Sequence, residues 1–212
     1  MKQLGFDLII LGDSTAGKDT QAGILMKKYA LTPVESGKFW RELGKKKKLS
    51  HLIKDRQRRS LPTPVKIIKK FLLESLNRAP KDKDLVFIGA GRLKPEAQYL
   101  VKQLRSKNRD FFALYIRLPK TQVIERSVRR GERPEDRDIA RINNRIKYYK
   151  EQVSKTVKFY QKLKKLKFIN GIQTIKQVSQ DIEKAINDYQ RRSALRPSPG
   201  LRPPSPEGRG KN

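Results

Sequence analysis

Short apolar runs, separated by longer segments of helical character, organise this chain. Residues 6–11 form an apolar run rich in β-formers that ends at a glycine, and similar runs occupy residues 84–90, 111–118 and 167–170. A shorter stretch at residues 32–34 predicts one more strand, and residues 18–29 predict a helix. Strands that alternate with helices predict an α/β fold in three layers, with a parallel sheet of about five strands covered on both faces.

Two helical segments are longer than a simple crossover connection requires. Residues 37–77 form a basic helical region broken at Pro62 and Pro64, which predicts a small helical insert beside the sheet. Residues 138–165 predict one long helix. Its apolar positions follow each other at spacings of three and four, which predicts one buried face. These positions are Ile139, Ile142, Ile146, Tyr149, Val153, Val157 and Tyr160.

The C-terminal segment differs in composition from everything before it. Residues 191–212 are rich in Pro, Gly, Ser and Arg and have no periodic apolar positions. Such a segment cannot bury enough surface to become ordered. We therefore expect one domain over residues 1–190 and a disordered basic tail over residues 191–212. A nucleic-acid arm and a C-terminal extension of little function both agree with this composition.

The chain is strongly basic. Its 212 residues include 51 Lys and Arg against 21 Asp and Glu, a formal net charge of +30 at pH 7. Such a field attracts polyanions and supports salt-sensitive, non-specific binding of nucleic acid through a basic surface. The alternative is an enzyme that handles several phosphates and carries its lysines on solvated helix faces. The even spread of basic residues favours this alternative, since only residues 45–48 form a compact run.

Composition also excludes several classes of site and location. There is no cysteine and only one histidine, so disulfides, thiolate metal sites and histidine-based metal sites are excluded. No apolar stretch approaches the length of a membrane span, and the N-terminal run is too short, and too acidic at Asp7, for a secretion signal. We expect a cytoplasmic monomer without a membrane partner.

The first apolar run leads into a glycine-rich turn that carries the main chemical signal. Gly12, Gly17 and Lys18 satisfy the pattern G-x-x-x-x-G-K between a predicted strand and a predicted helix. Such a turn points backbone N–H groups into one concavity in front of the positive helix end, and this suits phosphate. An ordinary strand-turn-helix connection is the alternative. The predicted ATP-binding loop comprises Gly12, Asp13, Ser14, Thr15, Ala16, Gly17, Lys18, Asp19 and Thr20.

Further segments, in the same order along residues 6–188, resemble the adenylate kinase family of nucleoside monophosphate kinases within the P-loop NTPase superfamily. The loop GDSTAGKDTQ is similar to the family's GxPGxGKGTQ, and ESGKFWR at residues 35–41 resembles STGDxLR. IGAGR at residues 88–92 resembles DGFPR, and RSVRRGE at residues 126–132 is similar to RLxxRGE. Residues 133–138 resemble a shortened RxDD lid, and ING at residues 169–171 matches the family's ING turn.

This resemblance implies a P-loop NTPase fold with an acceptor-binding insert at about residues 37–77 and a short lid at about residues 131–138. It implies transfer of the γ-phosphoryl group from Mg-ATP to a nucleoside monophosphate such as AMP. The implied acceptor-binding residues are Ser36, Arg41, Gly89, Arg92 and Glu96, and Arg126 with Gly171 would lie at the ATP base. The implied catalytic residues are Lys18, Arg92, Arg130, Arg133 and Arg145, with Arg141 as a rival to Arg145.

Two departures from the family pattern affect the metal and the acceptor. Ile88 stands where the family has an aspartate that orients Mg²⁺, so the metal would depend on the Thr20 hydroxyl and nucleotide oxygens, helped by Asp13 or Asp19. Glu96 stands where adenylate-specific members have Gln, and a carboxylate accepts hydrogen bonds but donates none. Neutral change and an altered acceptor are both open. The second functional hypothesis is a catalytically impaired P-loop protein with a basic nucleic-acid-binding surface.

Overall fold

The computed structural model describes residues 1–44, 51, 55–56, 64–131 and 138–194, without the side chains of Arg41, Arg145, Tyr149 and Ala194. The predicted break at Pro62 and most of the predicted lid lie outside these residues. The described elements, in chain order, are β1 (Asp7–Gly12), α1 (Lys18–Lys28), β2 (Leu31–Glu35), α2 (Ser36–Gly44), α3 (Val65–Asn77), β3 (Asp84–Ile88), α4 (Lys94–Ser106), β4 (Phe111–Arg117), α5 (Lys120–Arg130), α6 (Ile139–Lys162), β5 (Leu166–Asn170) and α7 (Ile175–Ala194).

The strands form one parallel sheet in the order β2-β3-β1-β4-β5. Leu8 in β1 pairs with Val86 on one side and with Phe112 on the other. Parallel strands are buried on both faces, which is why they are near-continuous apolar runs rather than alternating ones. The predicted parallel α/β sheet is therefore confirmed, and each predicted strand is present with ends shifted by only a few residues.

Successive side chains along each strand point to opposite faces of the sheet and enter two different cores. The sheet and the helices on its two faces form three layers. Leu8 and Ile10 pack in one cluster with α1 and α7, whereas Ile9 and Leu11 pack in a second cluster with α3, α4 and α6. Burying one such aliphatic side chain stabilises the fold by about 1.5–3 kcal/mol. The carboxyl ends of all five parallel strands meet at one edge of the sheet, and ligands of open α/β sheets bind at that edge.

Among its described side chains, the long helix α6 has the predicted buried face except at its first position. Ile142, Val153 and Tyr160 are buried, but Ile139 is 59% exposed, so its assignment to the buried face is wrong. Ile139 is the first residue of the helix, directly after the N-cap Asp138, whose Oδ1 accepts bonds from the N–H groups of Ala140 and Arg141. Burial of the periodic positions therefore begins one turn later, at Ile142.

The last helix is longer than the sequence indicates. α7 continues to Ala194, so residues 191–194 are helical rather than part of the predicted tail. Arg191 and Arg192 lie in its last turn, where cations interact favourably with the helix dipole. Residues 195–212 lie outside the described part. Within the part of the chain that the structure describes, no helix is both long and apolar enough to cross a membrane.

Candidate functional site

The glycine-rich loop between β1 and α1 curves through two left-handed positions. Thr15 has φ 60° and Gly17, the N-cap of α1, has φ 80°. Left-handed residues within a tight turn bring successive N–H groups into a concavity that binds anions. Gly12 is required for a different reason, because a Cβ there would lie 2.6 Å from the carbonyl oxygen of Ile116. The two motif glycines thus serve the turn and the close packing of β1 on β4.

The side chain of Lys18 folds back over this loop. Its Nζ donates to the carbonyl oxygens of Asp13 at 2.7 Å and Gly12 at 3.1 Å. The ammonium group therefore lies across the loop instead of extending into solvent. Phosphate oxygens entering the loop would compete with these carbonyls for the same charge, and an anionic acceptor makes the stronger hydrogen bond.

Asp13 anchors the loop to the end of β4. Its Oδ1 accepts from the hydroxyl of Tyr115 at 2.9 Å, and its Oδ2 accepts from the N–H of Leu118 at 2.8 Å. Both carboxylate oxygens are thus engaged with the protein. Sequence reasoning missed Tyr115, since no local pattern links residues that lie in different strands.

On one side of the loop, two residues predicted at the ATP base are brought together. Arg126 in α5 donates from Nη2 to the carbonyl oxygen of Gly171 at 3.0 Å. A Cβ at Gly171 would lie 2.6 Å from the carbonyl oxygen of Arg117, so the turn after β5 lies tightly against β4. The guanidinium of Arg117 stacks on the ring of Phe168 at 3.4 Å, a contact that the sequence did not indicate.

On the other side, the predicted acceptor residues surround the turn after β3. A Cβ built on Gly89 would lie 3.7 Å from the Oγ of Ser36, so these two residues are neighbours. The N–H of Gly89 donates to the carbonyl of Ile10 at 3.1 Å, which joins the turn to β1. Arg92 is half-buried at the end of this turn. Ile88 is 5% exposed and packs in the apolar core, so β3 ends without a carboxylate.

Glu96 lies below this turn rather than on its surface. It is 2% exposed, and its Oε2 accepts from the N–H of Leu93 at 3.4 Å. Burial raises the pKa of Glu96, while the charge of Arg92 and hydrogen bonds from the N–H groups of Leu93 and Arg92 act in the opposite direction. The carboxylate therefore caps the turn that carries Arg92.

Of the remaining predicted arginines, the structure describes the side chain of only some. Arg130 is the half-buried last residue of α5, and Gly131 caps that helix with its N–H donating to the carbonyl of Ser127. Arg41 lies in α2 and Arg145 in α6, both without a described side chain, and Arg133 lies outside the described residues. The rival Arg141 is exposed and forms an ion pair with Asp138 at 3.1 Å.

A small cavity of about 30 Å³ adjoins the loop. It is lined by Asp13, Ser14, Leu118, Lys120, Val123, Ile146 and Lys150. Lys120 at the start of α5 and Lys150 in α6 thus add two cations beside the loop that the sequence analysis did not single out. Their charges favour an anionic guest here.

The oxygen donors near the loop suit Mg²⁺ held mainly by a nucleotide. Thr20 and Asp19 are both exposed in the first turn of α1, and hydroxyl and carboxylate oxygens are suitable ligands for this hard ion. Among the described residues there is no group of three or more His, Asp or Glu side chains that could hold a metal without further ligands. Most of the ligands would therefore come from phosphate oxygens and water.

Comparison with known proteins agrees with the α/β fold and with the family resemblance of the sequence. A family model described as AAA domain matches residues 11–144. An adenylate kinase from Flavobacterium psychrophilum is 27% identical over 187 residues, which cover 86% of this chain and 98% of the relative. Adenylate kinases from Parabacteroides distasonis, 26% identical over 187 residues, and Azobacteroides pseudotrichonymphae, 25% identical over 183 residues, cover 86% and 84% of this chain and 98% and 96% of their own length. The predicted resemblance to the adenylate kinase family is confirmed.

Proposed function

This chain belongs to the AAA domain family, and from that membership and the site we propose that it is a nucleoside monophosphate kinase. It transfers the γ-phosphoryl group of ATP to a nucleoside monophosphate such as AMP, giving ADP and a nucleoside diphosphate. The observation that carries this proposal is the phosphate loop under Lys18, with the Arg126 and Gly171 contact on one side and the Arg92 turn on the other.

The donor nucleotide binds at the loop. Residues 12–20 hold the phosphates through backbone N–H groups and the positive end of α1. Lys18 exchanges the carbonyls of Gly12 and Asp13 for the outer phosphates. Arg126 and Gly171, already in contact, receive the base. The hydroxyl of Thr20 would supply one ligand to Mg²⁺ held mainly by the phosphates, and the ion would supply positive charge that neutralises the transferring group.

The acceptor binds between α2 and the turn after β3. Ser36 and Gly89 line this place, and the phosphate of the monophosphate is held by Arg92 and by Arg41 of α2. In the transfer, a phosphate oxygen of the acceptor forms a bond to the γ-phosphorus while the bond from γ-phosphorus to the ADP oxygen breaks. Planar guanidinium groups match the spread charge bidentately. Arg92, Arg130, Arg133 and Arg145 take this role.

The second hypothesis, an impaired P-loop protein that binds nucleic acid, is not favoured by any of the comparisons. Non-specific nucleic-acid binding, the monomeric state and the cytoplasmic location stay predictions from the sequence.

A coupled assay with ATP and each of AMP, CMP, UMP and GMP tests the proposal. We expect turnover with at least one acceptor, and we expect Lys18→Ala to abolish it while the circular dichroism spectrum stays unchanged. Lys27→Ala is the matched control, because Lys27 is an exposed lysine of the same helix. No turnover with any acceptor, together with salt-dependent nucleic-acid binding, would refute the kinase proposal. Unchanged turnover in Lys18→Ala would place the site elsewhere.

A further inference from the structure

The turn that joins β3 to α4 is held from below by a buried carboxylate. Glu96 is 2% exposed and lies in the first turn of α4. It accepts hydrogen bonds from the N–H groups of Leu93 and Arg92, the former at 3.4 Å. The side chain of Arg92 lies close enough for its charge to act on this carboxylate. One buried group thus accepts hydrogen bonds from the backbone of this turn and interacts electrostatically with the charge of Arg92.

The same turn is held on a second side by the long helix α6. The hydroxyl of Tyr160, which is fully buried, donates to the carbonyl oxygen of Gly91 at 3.4 Å. A Cβ at Gly91 would lie 2.9 Å from that hydroxyl and 3.1 Å from Cδ2 of Leu100. The backbone on which Arg92 is mounted therefore fits closely between α4 and α6, and its position is fixed by packing.

From this arrangement we infer that Glu96 is a positioning residue that acts through Arg92 and does not contact the acceptor base. The inference rests on the proposed function, in which Arg92 binds the acceptor phosphate. A carboxylate that caps the turn at 2% exposure has little surface left for a base. Its charge instead attracts the guanidinium of Arg92 and restricts where that side chain points. Holding a binding group in its productive position increases affinity without a new contact.

If Glu96 positions Arg92, its replacement has a predictable effect on selectivity among acceptors. Since the phosphate is common to all nucleoside monophosphates, loss of the Glu96 charge lowers the affinity for every acceptor by the same factor. A residue that contacts the base would instead change the order of preference among acceptors, because hydrogen-bonding edges differ between bases. Base selectivity in this protein must then come from residues other than Glu96.

A double-mutant cycle tests the inference without depending on turnover. The affinities of AMP, CMP, UMP and GMP are measured by calorimetry for the wild type, Glu96→Gln, Arg92→Ala and the double variant. Because interacting neighbours are energetically coupled, we expect Glu96→Gln to lower the affinity roughly tenfold and to cause no further loss once Arg92 is Ala. Glu74→Gln, at an exposed position on α3, is the control. If Glu96→Gln does not fold, Glu96→Asp, which moves the charge, takes its place.

The outcomes separate this inference from the proposed function. Additive losses, a changed order of acceptors, or no binding of any monophosphate to the wild type would each overturn the role of Glu96. Coupled losses that are equal for all acceptors support it, whether or not the wild type transfers phosphate. Turnover in the wild type with additive losses would leave the kinase proposal standing and refute the role of Glu96.

Discussion

Replacing Gly171 with Ala is expected to destabilise the protein, because the added methyl group has no room. The new Cβ would lie 2.6 Å from the carbonyl oxygen of Arg117, 2.9 Å from Cγ2 of Ile116 and 3.1 Å from Cδ2 of Leu118. Overpacking costs about 1–3 kcal/mol, and the upper end applies since the nearest atom is backbone. The entropy change of an unstrained Gly→Ala substitution offsets about 0.4–1 kcal/mol. The net loss is therefore about 2 kcal/mol.

The substitution should also weaken the donor site. Relief of the clash moves the backbone of Gly171, whose carbonyl accepts the bond from Arg126 at 3.0 Å. We expect a weaker affinity for ATP and an unchanged affinity for the acceptor. Urea unfolding gives the stability, and calorimetry with each nucleotide gives the affinities.

Gly23→Ala is the control for this prediction. A Cβ at Gly23 meets nothing within 4 Å, and Gly23 lies inside helix α1. Alanine in a helix interior is favoured over glycine by about 0.5–1 kcal/mol, so this variant should be more stable than the wild type. Equal stability of Gly171→Ala and wild type would refute the steric argument. A similar loss in both variants would do so too.

Three further predictions concern contacts described above. Tyr115→Phe removes one hydrogen bond to Asp13. The free energy of unfolding in urea should therefore fall by about 1 kcal/mol, and the KM for ATP should rise. No change in either quantity would contradict the anchoring role. Tyr160→Phe removes the hydroxyl that donates to the carbonyl of Gly91, so the free energy of unfolding should fall by about 1 kcal/mol. Unchanged stability would contradict this prediction. Burial alone would raise the pKa of Asp110, but hydrogen bonds from Lys165 and Tyr189 outweigh burial and lower this pKa below its usual value. The stability advantage of wild type over Asp110→Asn should therefore be complete above the unfolded pKa of about 4 and vanish as pH falls through the lower folded pKa, and an advantage independent of pH would contradict this.

The sequence predicts the fold well where a strand is buried on both faces. β3 and β4 are continuous apolar runs because helices cover both sides of the sheet. The apolar pattern of β2 is weaker because β2 is an edge strand, in which Pro33 is exposed. The end of α7 was missed for a related reason. Its last buried position is Tyr189, so periodicity stops before the helix does.

The site was predictable only where its chemistry is local in sequence. The turn at Gly17 and the position of Lys18 follow from one short motif. The bonds from Tyr115 and Leu118 to Asp13 depend instead on β4 lying beside β1, a register that joins residues about a hundred positions apart in the chain. Glu96 shows the same limit, because the family pattern implied a residue that binds the acceptor and only packing places it beneath the turn.

The two edges of the sheet use charge in different ways. At the amino edge, buried Asp7 accepts two bonds from Arg109, at 2.6 and 2.7 Å, and Asp84 accepts from the N–H groups of Leu4 and Gly5. These carboxylates join distant parts of the chain, and the hydrogen bonds that Arg109 donates to Asp7 raise the pKa of Arg109. At the carboxyl edge, carboxylates such as Asp13 instead hold the loop that meets the ligand. The carboxylates of the amino edge are thus used within the fold, whereas Asp13 at the carboxyl edge positions a loop beside Lys18, a cation that suits phosphate.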